Sequence, residues 1–165
     1  MRLGIISDTH DRLKRTATAM ALLQAAGAEV LVHCGDLTGP EVVHICGVLP
    51  GYYVFGNNDD GIPALRQAIA EVNGTCLGWG GEIVLAGKRV AVAHGHMTRD
   101  VRPLLAAVPD YFLFGHSHIV TDRREGGTRR INPGALHRAA EFSVAVLDLE
   151  SDDLKFLPIP RARTP

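Results

Sequence analysis

Side chains that can bind metal ions follow five apolar runs of this 165-residue sequence. In chain order the clusters are Asp8-Thr9-His10, Gly35-Asp36, Gly56-Asn57-Asn58-Asp59, His94-Gly95-His96 and Gly115-His116-Ser117-His118. They offer imidazole nitrogens, carboxylates and amide oxygens, and the clusters contain no cysteine. This mixture of donors suits manganese, iron, nickel or zinc and differs from a structural zinc centre built from thiolates.

The spacing within the clusters predicts that their side chains converge. In an extended segment residues i and i+2 point the same way, so the D-x-H pair and both H-x-H pairs should each direct two ligands to one place. Glycine adjoins the ligand in four of the five clusters, where it would let the backbone turn and keep bulk away from the site. We therefore expect one site at an edge of the core.

Seven candidate ligands are more than one ion needs. Two ions that share the carboxylate of Asp36 would use all of them. Paired ions about 3.5–4 Å apart can ionise a bridging water and stabilise both oxygens of an in-line displacement. The pattern therefore favours phosphoester chemistry, which needs a nucleophile at neutral pH and neutralisation of the phosphate charge.

The apolar pattern around the clusters predicts strands and helices that alternate early in the chain, followed mainly by strands. The predicted strands cover 2–7, 29–34, 52–56, 111–115, 128–132, 142–150 and 154–159, with a hairpin at 81–95 that turns near Ala86-Gly87. The predicted helices cover 11–27, 40–49, 62–72 and 100–108, and Pro103 fits only near the start of the last one. We expect a single domain over 1–165 with mixed sheets, outer helices, a β-sandwich core and a frayed tail at 160–165.

Composition narrows the class of protein. Apolar residues make up 46% of the chain, charged residues 21%, and the formal net charge is −1, so no strong field attracts nucleic acid or an anionic membrane. The three cysteines show no CxxC spacing, and the N-terminal residues become acidic too early for a signal peptide. No apolar run approaches the ~20 residues that span a bilayer. We expect a cytoplasmic protein without a membrane partner.

The five clusters, in this order, resemble the signature of the calcineurin-like metallophosphoesterases. The length, the opening LGIISDTHD and the later INPGA are similar to the small YfcE-type phosphodiesterase branch. The resemblance implies an α/β (α+β) fold, a four-layer α-β-β-α sandwich of mixed sheets, and two divalent transition-metal ions, with manganese expected first and nickel, iron or zinc as alternatives. It places Asp8, His10, Asp36 and His118 at the first metal and Asp36, Asn57, His94 and His116 at the second.

The resemblance also implies roles at the substrate. Many relatives carry a histidine at the position of Asn58, and that histidine is thought to protonate the leaving group. An amide cannot do this near neutral pH, so His96 is our candidate for the general acid. His96 and Asn58 are the expected substrate-binding residues, although Asn58 also fits an ordinary turn.

Several of these residues also have a purely structural interpretation. Asp8 could cap the following helix, Asp36 could be a turn acid, and His116 and His118 alone would suit a surface after a strand. Asp59 is expected to support a turn or a ligand and not to bind metal. Because a motif depends on its context, the five clusters together favour metal binding.

Residues outside the motifs receive structural predictions. His33 is expected in or near the core, and Cys34 is expected to be a small buried hydrophobe. His44 is assigned no chemistry, and His137 lies outside the motifs. Asn132 in INPG either supports a ligand or shapes the Pro-Gly turn, and the sequence does not separate these two roles.

The sequence thus predicts a dinuclear metal-dependent phosphohydrolase, most simply a phosphodiesterase, in which a metal-bridging hydroxide attacks a small phosphoester in line. A non-catalytic scaffold of the same fold, as in the retromer complex, is the alternative, and the seven filled ligand positions disfavour it. H-x-H pairs also occur in amidohydrolases, but those enzymes need a barrel of about 250 residues, and this chain is too short for one. Association of identical chains into a homo-oligomer stays open.

Overall fold

Residues 1–161 are described by the computed structural model, and they form eleven strands and four helices. The strands are β1 (Arg2–Ile6), β2 (Val30–His33), β3 (Gly51–Tyr53), β4 (Thr75–Cys76), β5 (Gly80–Leu85), β6 (Lys88–Ala93), β7 (Tyr111–Leu113), β8 (Thr121–Glu125), β9 (Thr128–Asn132), β10 (Phe142–Asp148) and β11 (Leu154–Ile159). The helices are α1 (Leu13–Ala25), α2 (Pro40–Cys46), α3 (Ile62–Glu71) and α4 (Thr98–Ala106).

The strands form two mixed sheets. The first sheet has the order β11-β10-β1-β2-β3-β4, in which β1 to β4 run parallel while β10 and β11 each pair antiparallel with their neighbours. The second sheet has the order β5-β6-β7-β9-β8, with a parallel centre and antiparallel edge strands. Helices connect four of the five parallel pairs, because a parallel pair needs a long crossover, and β8 lies in the connection from β7 to β9.

The apolar residues explain the layers. Leu3 and Ile5 of β1 are fully buried in one cluster with Val90 and Val92 of β6, which fills the space between the sheets. Ile6 belongs instead to a cluster with residues of α1, α2 and α3, because successive residues of a strand face opposite sides. The second sheet packs its outer face against Val101, Leu104 and Leu105 of α4. The predicted four-layer α-β-β-α sandwich is confirmed.

The parallel strands bring their carboxyl ends to common edges. β1, β2 and β3 end next to one another in the first sheet, and β6 and β7 do so in the second. Open sheets of this kind bind ligands outside the carboxyl ends of their strands. The loops after these five strands carry the five clusters.

Two strands were missed by the sequence patterns, and one helix was misjudged. β4 has only two residues, and β8 reads TDRRE, which lacks apolar alternation. α4 begins at Thr98, so Pro103 lies inside the helix and the prediction that it stands near the start was wrong. The missing N–H leaves the carbonyl of exposed Arg99 without a helical partner, and water can satisfy it there.

The predicted hairpin turn is confirmed. The hairpin of β5 and β6 turns at Ala86 and Gly87, which have φ values of 48° and 75°, as a two-residue hairpin turn requires. In the predicted frayed tail, Arg161 donates to the carbonyl of Ala140 at 2.6 Å, and residues 162–165 lie outside the described residues. Within residues 1–161 no helix is both long and apolar enough for a membrane span.

Candidate metal centre

Two carboxylates lie at the middle of the site. Asp8 Oδ1 is 3.0 Å from His118 Nε2 and 4.0 Å from His10 Nε2. Asp36 Oδ2 is 3.2 Å from His10 Nε2 and 3.4 Å from His94 Nε2. The potential ligand atoms form two adjoining groups, Asp8-His10-His118 and Asp8-Asp36-His94, and in each group these atoms lie within 4.8 Å of one another.

The other predicted site residues surround this centre. The imidazole rings of His94, His96 and His116 form a cluster with centroid distances of 5.2 to 6.0 Å. Asn57 and Asn58 line a cavity of about 320 Å³ together with His10, Asp36, His116 and His118. All seven predicted ligands, with His96 and Asn58, are therefore brought to one place.

The two sheets contribute different donors. The loops after β1, β2 and β3 supply the carboxylates of Asp8 and Asp36 and the amide of Asn57, with one imidazole from His10. The loops after β6 and β7 supply only imidazoles, from His94, His96, His116 and His118. The mixed donor set arises because the two sheets meet at this edge.

Five of the seven candidate ligands have a left-handed backbone. The φ values are 52° at Asp8, 43° at His10, 57° at Asp36, 65° at His116 and 58° at His118. In the loops after β1, β2 and β7 the backbone thus turns sharply at the ligand itself, and the explanation of the Asp8/His10 and His116/His118 pairs from extended i and i+2 geometry was wrong. Non-glycine residues in such conformations cost about 1–3 kcal/mol each and cluster at functional sites.

Two glycines leave room for the carboxylates. A Cβ atom on Gly56 would overlap Asp36 Oδ1, and one on Gly115 would overlap Ser7 Oγ and lie 2.7 Å from Asp8 Oδ2. The prediction that glycine keeps bulk out of the site is confirmed at these positions.

Hydrogen bonds satisfy the outer side of Asp8 and leave its inner side free. Asp8 Oδ2 accepts hydrogen bonds from Ser7 Oγ at 2.6 Å and from the His116 N–H at 3.1 Å. Asp8 Oδ1, His10 Nε2 and His94 Nε2 are buried and form no hydrogen bond with any of residues 1–161. Buried polar atoms without partners are rare, and three that converge on one point fit a bound cation.

Backbone carbonyls orient two of the imidazoles. His94 Nδ1 lies 2.8 Å from the Cys34 carbonyl, and His118 Nδ1 lies 3.3 Å from the Arg138 carbonyl. A carbonyl can only accept, so each Nδ1 carries the proton and each Nε2 presents a lone pair toward the carboxylates. This tautomer is the one in which Nε2 binds a metal.

Asp36 is held as a carboxylate. It accepts from the Asn58 N–H at 2.9 Å and from Asn58 Nδ2 at 2.7 Å. Burial alone would raise the pKa of Asp36, but the nearby imidazoles of His10 and His94, together with the Asn58 N–H, outweigh it and hold that pKa well below its usual range. The bond from the Asn58 side chain was not predicted, and a role of Asn58 toward substrate stays a prediction.

The supporting residues behave as structural groups. Asp59 is buried and accepts from the N–H groups of Asp36, Gly56 and Thr38, which confirms it as a turn acid. Asn132 donates to the Gly115 carbonyl at 2.8 Å and accepts from the Gly134 N–H at 2.9 Å. It therefore shapes the Pro-Gly turn and also holds the backbone of the loop that carries His116 and His118. The N-cap of α1 is Arg12, so Asp8 does not cap that helix.

His33 links the first two ligand loops. It is fully buried as expected, its Nδ1 accepts from the Gly35 N–H at 3.2 Å, and its Nε2 lies 3.1 Å from Thr9 Oγ1. Burial, more than any neighbouring charge, lowers the pKa of His33 to about 3, so the ring is neutral.

The structure also locates His44 and Cys34, which lie outside the metal-binding motifs. His44 is exposed and pairs with Glu71 at 3.0 Å, away from the site. Cys34 is fully buried and burial raises the pKa of its thiol, as a packed residue requires.

Two residues at the rim of the site, His137 and Trp79, were not predicted from the sequence motifs. The His137 ring lies 4.7 Å from that of His10, and Arg12 Nε donates to His137 Nδ1 at 3.2 Å. Trp79, 41% exposed, stands edge-on to His96 at 6.1 Å and to Phe55 at 5.7 Å. His137 follows the INPG turn by a few residues and Trp79 is the single tryptophan, which are the only signals in the sequence.

Comparison with known families agrees with this geometry. The model of the calcineurin-like phosphoesterase superfamily domain matches residues 1–152, which include every candidate ligand. The chain belongs to this superfamily. The predicted family resemblance is therefore confirmed.

Two relatives of this phosphoesterase are named phosphodiesterases. It is 23% identical to phosphodiesterase MJ0936 of Methanocaldococcus jannaschii over 161 residues, covering 94% of this chain and 97% of the relative. It is 24% identical to phosphodiesterase YfcE of Escherichia coli K12 over 152 residues, covering 82% of this chain and 79% of the relative. The expected similarity to the YfcE-type branch is confirmed.

Solved structures share the fold of this phosphoesterase. A novel archaeal phosphodiesterase superimposes with a TM-score of 0.88 at 22% identity, covering 96% of this chain and all of the other. Wild-type Vps29 of Entamoeba histolytica, complexed with Zn²⁺, has a TM-score of 0.66 at 17% identity, with coverage of 96% and 98%. At these identities the likeness shows the fold alone.

Proposed function

We propose that this phosphoesterase is a metal-dependent phosphodiesterase whose site holds two divalent metal ions. The observation that carries the proposal is the convergence of Asp8 Oδ1, His10 Nε2 and His94 Nε2, which are buried and form no hydrogen bond within residues 1–161. The names of the relatives MJ0936 and YfcE support a diester as the substrate.

The ligands divide into two sets. Asp8, His10 and His118 form one group in the structure, and we assign the first ion to it together with Asp36. The second ion is assigned to Asp36, Asn57, His94 and His116. Asp36 Oδ2 is close to His10 at 3.2 Å and to His94 at 3.4 Å, one residue from each set, which supports a shared carboxylate.

When bound, the ions would supply an acidified water and positive charge near the phosphate oxygens. The chain itself holds the ligands in place. The Cys34 and Arg138 carbonyls fix the tautomers of His94 and His118, and Asn58 fixes the Asp36 carboxylate. Preorganised ligands of this kind need little rearrangement during the reaction.

His96 is proposed to contact the phosphate or the leaving oxygen. It is half-buried beside His94 and His116, and its Nδ1 forms no hydrogen bond within the described part of the chain. A ring at this position can donate to a substrate oxygen without serving as a ligand. We retain it as the candidate general acid.

The metal and the location in the cell also belong to the proposal. Imidazole, carboxylate and amide donors accept manganese, iron, nickel or zinc, and we expect manganese first. Cys34, Cys46 and Cys76 are free thiols, which supports the predicted cytoplasmic location.

The test combines metal analysis with a substrate screen. Purified protein is stripped with a chelator, reconstituted with each metal and analysed for bound ions, and we expect close to two per chain. The same samples are assayed against phosphomonoesters, phosphodiesters and nucleotides. Binding of one ion or fewer would contradict the two-metal site, and phosphodiesters should be cleaved only by the reconstituted protein.

The alternative is a scaffold that acts through its surface. The likeness to Vps29 supports keeping it, while the complete ligand set disfavours it. A protein that binds metal and cleaves no member of the panel with any of the four metals would favour the scaffold.

A further inference from the structure

A second cavity adjoins the metal centre. Its volume is about 630 Å³, and it lies between the start of α1 and the end of β11. Its charged lining residues are Asp11, Arg12, Lys14, Arg15 and Arg161. Four cations face one acid, so this part of a chain with a formal net charge of −1 is locally basic.

The four cations form no ion pair within residues 1–161, although other arginines of this chain do. Arg89, for example, pairs with Glu82 at 2.8 Å, and Arg129 pairs with Asp122 at 2.8 Å. The arginines of the cavity bond instead to neutral groups. Their positive charge is therefore not neutralised by the surrounding side chains.

Packing holds two of the guanidinium groups in place. The Arg15 guanidinium carbon lies 3.6 Å from the centre of the Phe142 ring, and that of Arg161 lies 5.3 Å from it. Arg15 also donates to the Leu136 carbonyl, and Arg161 donates to the Ala140 carbonyl. The pKa of Arg15 is lowered, first by burial and then by repulsion from Arg12 and Arg161. The fold thus holds like charges near each other, which an anion would relieve.

The cavity is connected to the metal centre through one contact. Arg12 lines the cavity and donates to His137, whose ring lies 4.7 Å from His10. His137 and Arg138 line the metal centre cavity. A ligand that reaches from His10 past His137 therefore meets the guanidinium of Arg12.

We propose that this basic cavity binds a second phosphate group, carried by the same molecule whose diester is cleaved at the metal centre. Arginine matches phosphate because its planar fork can donate two parallel hydrogen bonds. The inference rests on the proposed function and adds a substrate class to it, namely diesters with a phosphate on one ester arm.

Matched substrates test the proposal. The probes are 4-nitrophenyl ω-phosphoalkyl phosphates with spacers of three or six carbons, and the controls are the ω-hydroxyalkyl counterparts. The hydroxyl compounds show whether the diester is cleaved at all. The ratio of kcat/KM within a pair measures how much the cavity contributes to recognition of the second phosphate. We expect the phosphorylated member to be preferred by about tenfold or more at low salt, with the preference falling as salt rises.

Variants locate the preference. Arg15→Gln should remove most of it, and Lys14→Gln, at an exposed residue without an ion pair in the described chain, should reduce it about twofold to threefold. Arg123→Gln is the matched control, because it removes the same charge from the edge strand β8. If Arg15→Gln does not fold, Lys14→Gln still tests the proposal, because Lys14 is exposed.

The outcomes separate the two hypotheses. Cleavage of both members of each pair at equal rates, or a preference that Arg123→Gln alters as much as Arg15→Gln, would overturn the anion cavity and leave the phosphodiesterase intact. If no diester is cleaved, the proposed function fails. Calorimetry with α,ω-alkane bisphosphates and hydroxyalkyl phosphates then tests whether the cavity binds a second phosphate group. Equal affinities of the wild type for the two classes of ligand would overturn the proposal.

Discussion

The two flanks of the metal centre present different chemistry. The aromatic flank consists of His96 and Trp79, with the buried Phe55 ring behind Trp79, and each ring stands edge-on to the next. The basic flank consists of His137, Arg12 and Arg138, which lead toward the basic cavity. His94 lies between the aromatic flank and Asp36, and His10 lies between the basic flank and Asp36.

For the proposed diester substrate, this difference predicts a single orientation in the site. A phosphodiester has two ester arms, and a site with identical flanks would accept them in either direction. Here an aryl or apolar arm fits the aromatic flank, whereas an arm with negative charge fits the basic flank. We infer that the leaving group departs on the side of His96.

The largest loss of activity is expected from substitution of Asp36, which lies between the two flanks. Asp36→Asn should remove both ions and lower kcat/KM on the order of 10³-fold or more, because a neutral amide cannot hold two dications. Elemental analysis and kinetics check this. Asp153→Asn, the same change at an exposed aspartate between β10 and β11, should have no effect. Full metal content in Asp36→Asn would refute the shared carboxylate.

The next effect tests the aromatic flank. His96→Ala should lower kcat by about 10²- to 10⁴-fold, the usual contribution of general acid–base catalysis, while metal content stays at the wild-type level. Metal analysis is essential here, because loss of an ion would move His96 into the ligand set and remove the functional distinction between it and His94.

Asn58→His should have a smaller effect that depends on the leaving group. An imidazole with a pKa near 6.5 can protonate a departing alkoxide, so alkyl diesters should gain about tenfold and activated aryl diesters little. The measurement is kcat/KM across diesters with graded leaving-group pKa values. A shallow slope in the wild type would show that His96 already supplies the proton. Because the Asn58 amide also binds Asp36, metal content is measured alongside.

The smallest effect is expected at Trp79. Trp79→Ala should raise KM for aryl diesters by about twofold to tenfold, the range for one aromatic contact, with little change for methyl diesters. Trp79→Phe is the conservative control and should retain most of the affinity. Equal changes for aryl and methyl diesters would show that Trp79 supports the fold and does not select the substrate arm.

The sequence predicted the centre of the site better than its rim. Asp8, Asp36, His94 and His116 follow buried strands, so their meeting at one edge follows from the strand pattern and the motif order. His137 and Trp79 belong to segments without a motif, and only the tertiary fold brings them beside His10 and His96. Proximity of this kind leaves no periodicity in a single sequence.

The fold was predictable where burial is continuous and unpredictable where it is not. β1 and β6 each contain four consecutive buried residues between two layers, a pattern that is visible in the sequence. β8 is almost entirely charged and pairs with β9 through its backbone, so its side chains carry no signal. The left-handed backbone at Asp8 and His118 was missed because short-range spacing does not determine φ.

The pairing of β10 with β1 has a consequence for biosynthesis. All candidate ligands lie within residues 8–118, yet the strand that covers one edge of β1 begins only at Phe142. A nascent chain therefore exposes every ligand to the surrounding ions before the sheet behind Asp8 is complete, and long-range strand pairing is slow. We therefore expect stable uptake of metal to follow the emergence of β10 from the ribosome, because only then is the strand before Asp8 paired on both edges.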